Sequence, residues 1–109
     1  MVKKVRLKPQ WFQILLALAD GRKHGQGIMA EVLEQTDGSM HLWPTSLYGS
    51  LKRLHESGLL RESPLGDDAA GDRRRFYELT DRGREALAAE VLELRRTVET
   101  AVRKRVVEA

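Results

Sequence analysis

Trp43-Pro44-Thr45-Ser46-Leu47-Tyr48-Gly49-Ser50-Leu51-Lys52-Arg53-Leu54 reads as a short helix with two unlike sides. Leu47, Leu51 and Leu54 recur at i, i+4 and i+7 and form one buried stripe, which leaves Thr45, Ser46, Tyr48, Gly49, Lys52 and Arg53 pointing elsewhere. That outer set suits the approach to a duplex. Small residues permit close contact, hydroxyls donate to phosphate or base edges, and two cations neutralise backbone charge. The segment is predicted to be a recognition helix; taken alone, such a pattern is more usually an amphipathic surface helix with a solvated polar side.

Upstream, Pro9 opens a helical pattern in which Trp11, Ile14, Leu15 and Leu18 share one face until Asp20-Gly21 stops it. A second helix carries Ile28, Met29, Val32 and Leu33 on one side and ends at Asp37-Gly38, after the polar connector Arg22-Lys23-His24-Gly25 in which His24 marks a helix start. Met40-His41-Leu42 alternates as a very short strand would. Trp43 precedes a proline, so its backbone is extended, and its indole either staples the entry to the third helix or flanks bound DNA. The third helix runs to Ser57-Gly58, where the glycine supplies a left-handed cap residue.

Downstream, residues 59–63 and 75–79 are predicted strands of a hairpin, joined by a connector from Pro64 to Asp72 whose glycines, aspartates and proline keep it exposed. Thr80 is placed as an N-cap, with Asp81 in the first turn, of a helix reaching to about Val107. In it Leu87, Val91, Leu94, Val98 and Ala101 step by 4, 3, 4 and 3, the seam of a coiled coil. A seam of about two heptads is unstable alone, so it packs on the first helix or on a second copy of the chain, and a dimer is expected. Trp11, on the apolar face of the first helix, is assigned to core or dimer interface, with a ligand platform as the minor alternative.

The bulk properties narrow the class. At 109 residues, 41% apolar and 32% charged, the chain is read as one modest module with an appendage. No cysteine is present, which excludes a disulfide framework, thiolate metal sites and a cysteine nucleophile. The longest apolar run, from Ile14 to Ala19, falls far short of the ~20 residues of a spanning helix, so no membrane partner is expected. The start is basic but lacks a signal peptide's apolar core, and a cytoplasmic location is expected. The net charge of +3 is too small to imply a polycation, so affinity for nucleic acid has to come from local clusters.

Those clusters are Lys3 to Lys8, Lys52-Arg53 and Arg73-Arg74-Arg75. The first is a DNA-touching arm or a solvated terminus. In the last, one or two guanidiniums enter a minor groove or clamp phosphates, Arg74 or Arg75 being favoured, unless they pair with Asp67, Asp68 and Asp72 of the same connector. Tyr48 either contacts a phosphate or packs its ring on the domain edge. Gly25-Gln26-Gly27 approximates a dinucleotide fingerprint but lacks its third glycine, and it is expected to follow a helix rather than a strand. His24, His41 and His55 are scattered, with no carboxylate spaced for a metal site or triad. No enzyme activity, cofactor or metal is expected.

Three helices, a hairpin and a long last helix describe an α+β winged helix-turn-helix, mainly α, followed by a C-terminal dimerisation helix. Here the chain resembles the PadR-like transcriptional regulators. The likeness rests on Ile14-Leu15-Leu16-Ala17-Leu18 with His24-Gly25, on 47–54, on Gly58-Leu59-Leu60 and on 73–83, in this order and spacing. It implies a DNA-binding domain over 1–80 and a dimerisation helix over 81–109. It also implies a homodimeric regulator, usually a repressor, on a pseudo-palindromic operator in double-stranded DNA, releasable by a small-molecule effector. The nominated DNA-binding residues are Thr45, Ser46, Tyr48, Gly49, Lys52, Arg53, Arg73, Arg74 and Arg75; those of the dimer are Trp11, Leu87, Val91, Leu94, Val98 and Ala101. Two departures stand out. Thr45-Ser46 replaces a common Gly-Thr, and residues 81–109 lack the tryptophans with which some short relatives hold flat aromatic ligands. The competing class is a winged-helix protein-interaction module, which would expose apolar residues where this chain places cations.

Overall fold

The structure, a computed structural model, describes residues 7–63 and 75–109. Lys3, Arg73, Arg74 and the aspartates of the connector lie outside the described residues. The elements are α1 Pro9–Ala17, β1 Lys23–His24, α2 Gly25–Gln35, α3 Pro44–Glu56, β2 Leu60–Glu62, β3 Phe76–Leu79 and α4 Asp81–Arg103. The leucine stripe of α3 does what its period requires. Leu47, Leu51 and Leu54 are buried against Ile14 and Leu15 of α1, Ile28 and Val32 of α2, and Leu59 and Leu60 beyond its end.

Helix ends follow local chemistry. Pro9 opens α1, which stops at Ala17 rather than Asp20 because the chain tightens into i→i+3 bonds, Leu18 N–H to Leu15 O at 3.1 Å and Ala19 N–H to Leu16 O at 3.0 Å. His24 caps α2, its Nδ1 accepting from Gly27 N–H at 3.1 Å. Gly58, at φ +77, closes α3: the Leu59 N–H reaches Leu54 O at 3.0 Å.

The hairpin is really a three-stranded antiparallel sheet in the order β1-β3-β2. Lys23 and His24, read as part of a connector, pair with Tyr77 and Phe76. Two residues hold no detectable period, so only the partner strand reveals them. Phe76 anchors this edge, meeting the His24 ring edge-on at 5.5 Å and the Arg22 guanidinium at 5.6 Å. The Gly25-Gln26-Gly27 run therefore does follow a strand, contrary to expectation, but an antiparallel one of two residues that cannot begin a βαβ unit. Met40-His41-Leu42 forms no strand. Leu42 drops into the core while the Met40 N–H donates to Thr36 Oγ1 at 3.0 Å.

Thr80 caps α4 as expected, Oγ1 accepting from Gly83 N–H at 2.9 Å and donating to Gly58 O at 2.6 Å. Gly83 is a requirement. A Cβ there would overlap the carbonyl of Leu59. The far end falls short of Val107, because Arg105 turns left-handed at φ +62 and a Schellman pair forms, Val106 N–H to Ala101 O at 2.9 Å and Arg105 N–H to Val102 O at 3.0 Å. The seam divides. Leu87 is 6% exposed and belongs to the core of its own domain, whereas Val91, Leu94 and Val98 are 42%, 46% and 56% exposed, and Ala101 is half-buried. Trp11 is half-buried beside the core, with Lys8 Nζ 5.1 Å from its ring centroid. Among the described residues no helix is long and apolar enough to cross a membrane.

Gly83→Ala is expected to destabilise the fold by about 2 kcal/mol or more, since the backbone clash outweighs the ~1 kcal/mol that alanine adds in a helix. Urea unfolding measures it; an unchanged or raised midpoint would show that α4 does not rest on Leu59.

Candidate nucleic-acid interface

The exposed side of α3 carries a stripe of Thr45, Gly49, Lys52 and Glu56, again spaced 4, 3 and 4, flanked by Ser46 and Arg53 on one side and by Tyr48 and His55 on the other. All are exposed. At Gly49 an added Cβ would meet nothing within 4 Å, so the middle of the stripe is bare backbone open to a close-approaching partner. Among the described residues neither Lys52 nor Arg53 makes an ion pair. Pro44 at the start supplies no N–H, and α3 has no side-chain cap there.

The helix is held at this angle by a contact with no local sequence signal. Gln10 of α1 reaches across 40 residues, donating from Nε2 to the buried Ser50 Oγ at 2.7 Å and to Ser46 O at 3.2 Å. This satisfies the one polar side chain that α3 turns inward and fixes the Ser46 turn against α1. Tyr48 is 49% exposed, and its ring lies so close over Gly25 that a Cβ there would come within 2.9 Å of Tyr48 Cζ. The ring thus packs on the domain edge, at the start of α2, while half of it stays open.

Tyr48, Arg75 and Tyr77 line two open clefts. One, of about 420 Å³, is completed by His24, Gly25 and Gln26; the other, of about 310 Å³, by Leu51, Lys52, His55 and Glu62. Register explains the second wall. Glu62 pairs with Tyr77, so both side chains leave the sheet on the face turned to α3, while Arg61 and Glu78 pair on the outer face with Arg61 Nε 2.7 Å from Glu78 Oε2. Arg75 projects from the start of β3, three-quarters exposed, with Nη1 3.4 Å from Glu62 Oε1. Burial raises the Tyr77 phenol above its ordinary value of 10.0, with the Glu62 carboxylate and Tyr48 adding to the effect and Arg75 opposing it.

Of the nominated DNA-binding residues, Thr45, Ser46, Tyr48, Gly49, Lys52, Arg53 and Arg75 come together on this one side, and Arg73 and Arg74 lie outside the described residues. Trp43 does not staple the entry to α3. It is 64% exposed and stacks on His41, ring centroids 4.5 Å apart, because Leu42 takes the core position between them.

Residues 14–89 match the family described as "Transcriptional regulator PadR-like family". The chain belongs to it. The family is one of transcriptional regulators. The PadR family transcription regulator from Clostridium difficile superimposes with a TM-score of 0.69 at 24% identity, over 89% of this chain and 99% of that one. Bacillus subtilis PadR in complex with operator DNA gives 0.62 at 23% identity, over 77% and 47%. A curated relative, the "Uncharacterized 37.1 kDa protein in transposon TN4556" of Streptomyces fradiae, is 46% identical over 77 residues. Those are 71% of this chain but 20% of that protein, so the chain spans about a fifth of its length. The PadR-like fold here is the winged helix, with α2 and α3 as its helix-turn-helix and β2 and β3 as its wing. Gln10 and Glu62 were not legible as neighbours of this candidate interface: the first acts at long range, and the second depends on a strand register that the long connector hides.

Tyr48 and Tyr77 are the two tyrosines of the chain. In Tyr48→Phe the remaining phenol is expected to ionise above 10.0. Because the folded value is the raised one, the stabilisation is complete below the unfolded value and disappears as pH climbs through the folded value. Ultraviolet titration reads this directly, and ionisation at or below the ordinary value would contradict the burial of Tyr77.

Proposed function

We propose that this PadR-like regulator binds double-stranded DNA as a homodimer, usually to repress, on a pseudo-palindromic operator in the cytoplasm. Residues 1–80 read the DNA and 81–109 hold the two copies together. The observation that carries the reading is the bare Gly49 backbone between Thr45 and Lys52, with Arg53 beside it and Arg75 across the cleft: a surface open in the middle and cationic at its margins. In this arrangement α3 enters the major groove, Thr45 and Ser46 near base edges, Lys52 and Arg53 on phosphates or a guanine edge, and the wing follows the flanking backbone through Arg75. Bacillus subtilis PadR, which shares the fold and is found in complex with operator DNA, supports the same class of partner.

Dimerisation is supported by Val91, Leu94 and Val98, which α4 leaves unburied along one line. A second copy covers them and sets two α3 helices about 34–36 Å apart, one turn of duplex. An effector that changes the angle between the two α4 helices would change that spacing and release the operator.

The test is selection of bound fragments from a random duplex pool, then a mobility shift on the winners. A specific shift is expected, with affinity falling steeply as salt rises. With about three phosphate contacts per protomer, log K has a slope of roughly −5 against log salt. Val91→Glu with Leu94→Glu is expected to give monomers in sedimentation and to lose the shift. No shift for the wild type at moderate salt, or an intact dimer in the double variant, would overturn the corresponding part. Gly49→Ala separates folding from reading. It is expected to raise stability by about 0.5–1 kcal/mol, as alanine does in a helix interior, while weakening operator binding. Unchanged affinity would mean that the duplex does not approach the α3 backbone.

A further inference from the structure

Among the described residues that line it, the wing cleft contains one charge of the wrong sign for a DNA-facing surface. Glu62 sits on the face of the sheet turned to α3, in register with Tyr77, lining the same cleft as Tyr48, Lys52 and Arg75. The wing's other strand carboxylate, Glu78, is on the outer face and engages Arg61. Glu62 is half-exposed and lies 3.4 Å from the Arg75 guanidinium, so it meets that cation in the place where a phosphate oxygen would arrive. An arginine between two anions of like geometry can serve one fully and the other only at a cost.

We propose that Glu62 is a built-in competitor of DNA phosphate for Arg75, which limits the strength of the wing's sequence-independent contact. The proposal rests on the DNA-binding reading above and adds a regulating residue to it. In the free protein Glu62 holds Arg75 across the cleft from Tyr48. On binding, the guanidinium exchanges carboxylate for phosphate, and Glu62 is left facing the backbone it repels. The exchange involves no base edge, so it lowers affinity for every duplex by the same factor and leaves the ratio between operator and random DNA unaltered. The benefit is to dissociation from non-specific DNA, which backbone contacts dominate.

The experiment compares wild type, Glu62→Gln, Glu78→Gln and Arg75→Ala, alone and with Glu62→Gln, on the selected operator and on random duplex of equal length across a salt series. An exposed pair of this kind corresponds to about threefold per wing, so Glu62→Gln is expected to tighten binding of a two-winged dimer about tenfold on both DNAs. Glu78→Gln, with the same change in net charge, should shift affinity less than about twofold, and so should Glu62→Gln when Arg75 is already alanine. Equal gains from Glu78→Gln would reduce the effect to net charge and overturn the proposal, as would a full Glu62→Gln gain without Arg75. An unchanged Glu62→Gln on DNA that the wild type binds overturns this inference alone. A wild type that binds no duplex overturns the DNA reading and this proposal together.

Discussion

The contact on which the rest of the molecule depends is that of Gly83 with the carbonyl of Leu59. Here the first turn of α4 presses on the chain just after α3, closer than any side chain permits, and Thr80 ties the same place by donating to Gly58 O while capping α4. The end of α3 and the start of the last helix are therefore one corner. Leu87, one turn further on, enters the core, so α4 leaves the domain in a direction set by packing. Whatever α4 does at its far end is passed to α3 with little slack.

At its other end α3 is held differently. Gln10 bonds Ser50 and the Ser46 carbonyl, a polar clamp in place of a backbone collision. Between the two fixings the outer stripe carries little bulk, since Thr45 is small and Gly49 has no side chain. Lys52 and Glu56 continue the stripe towards the end of α3, with Arg53 beside it towards α1 and Arg75 across the wing cleft.

Much of this was legible in the chain. The Leu47, Leu51 and Leu54 stripe, the Gly58 stop and the Thr80 cap are local signals, and each is found where the spacing placed it. The failures are physical too. β1 has two residues, below any period, and exists because Phe76 and Tyr77 offer it a partner. Leu87 satisfies both a seam and a core, because the 4, 3 spacing serves either, and only the position of Gly83 decides between them. A large apolar group such as Trp43 is expected to seek cover, yet Leu42 occupies that site and the indole settles for His41. The clamp by Gln10 and the facing of Glu62 depend on tertiary pairing, which no short window contains.

The sheet's edges bear on how the chain associates. β1 offers two residues and β2 three, and β2 carries Arg61 and Glu62, both charged and exposed. Edges so short and so charged cannot template the addition of a strand from another molecule, because too few hydrogen bonds form to offset the buried charge. Among the described residues the sheet edges thus offer little to β-augmentation, and the longest exposed apolar line is the one on α4.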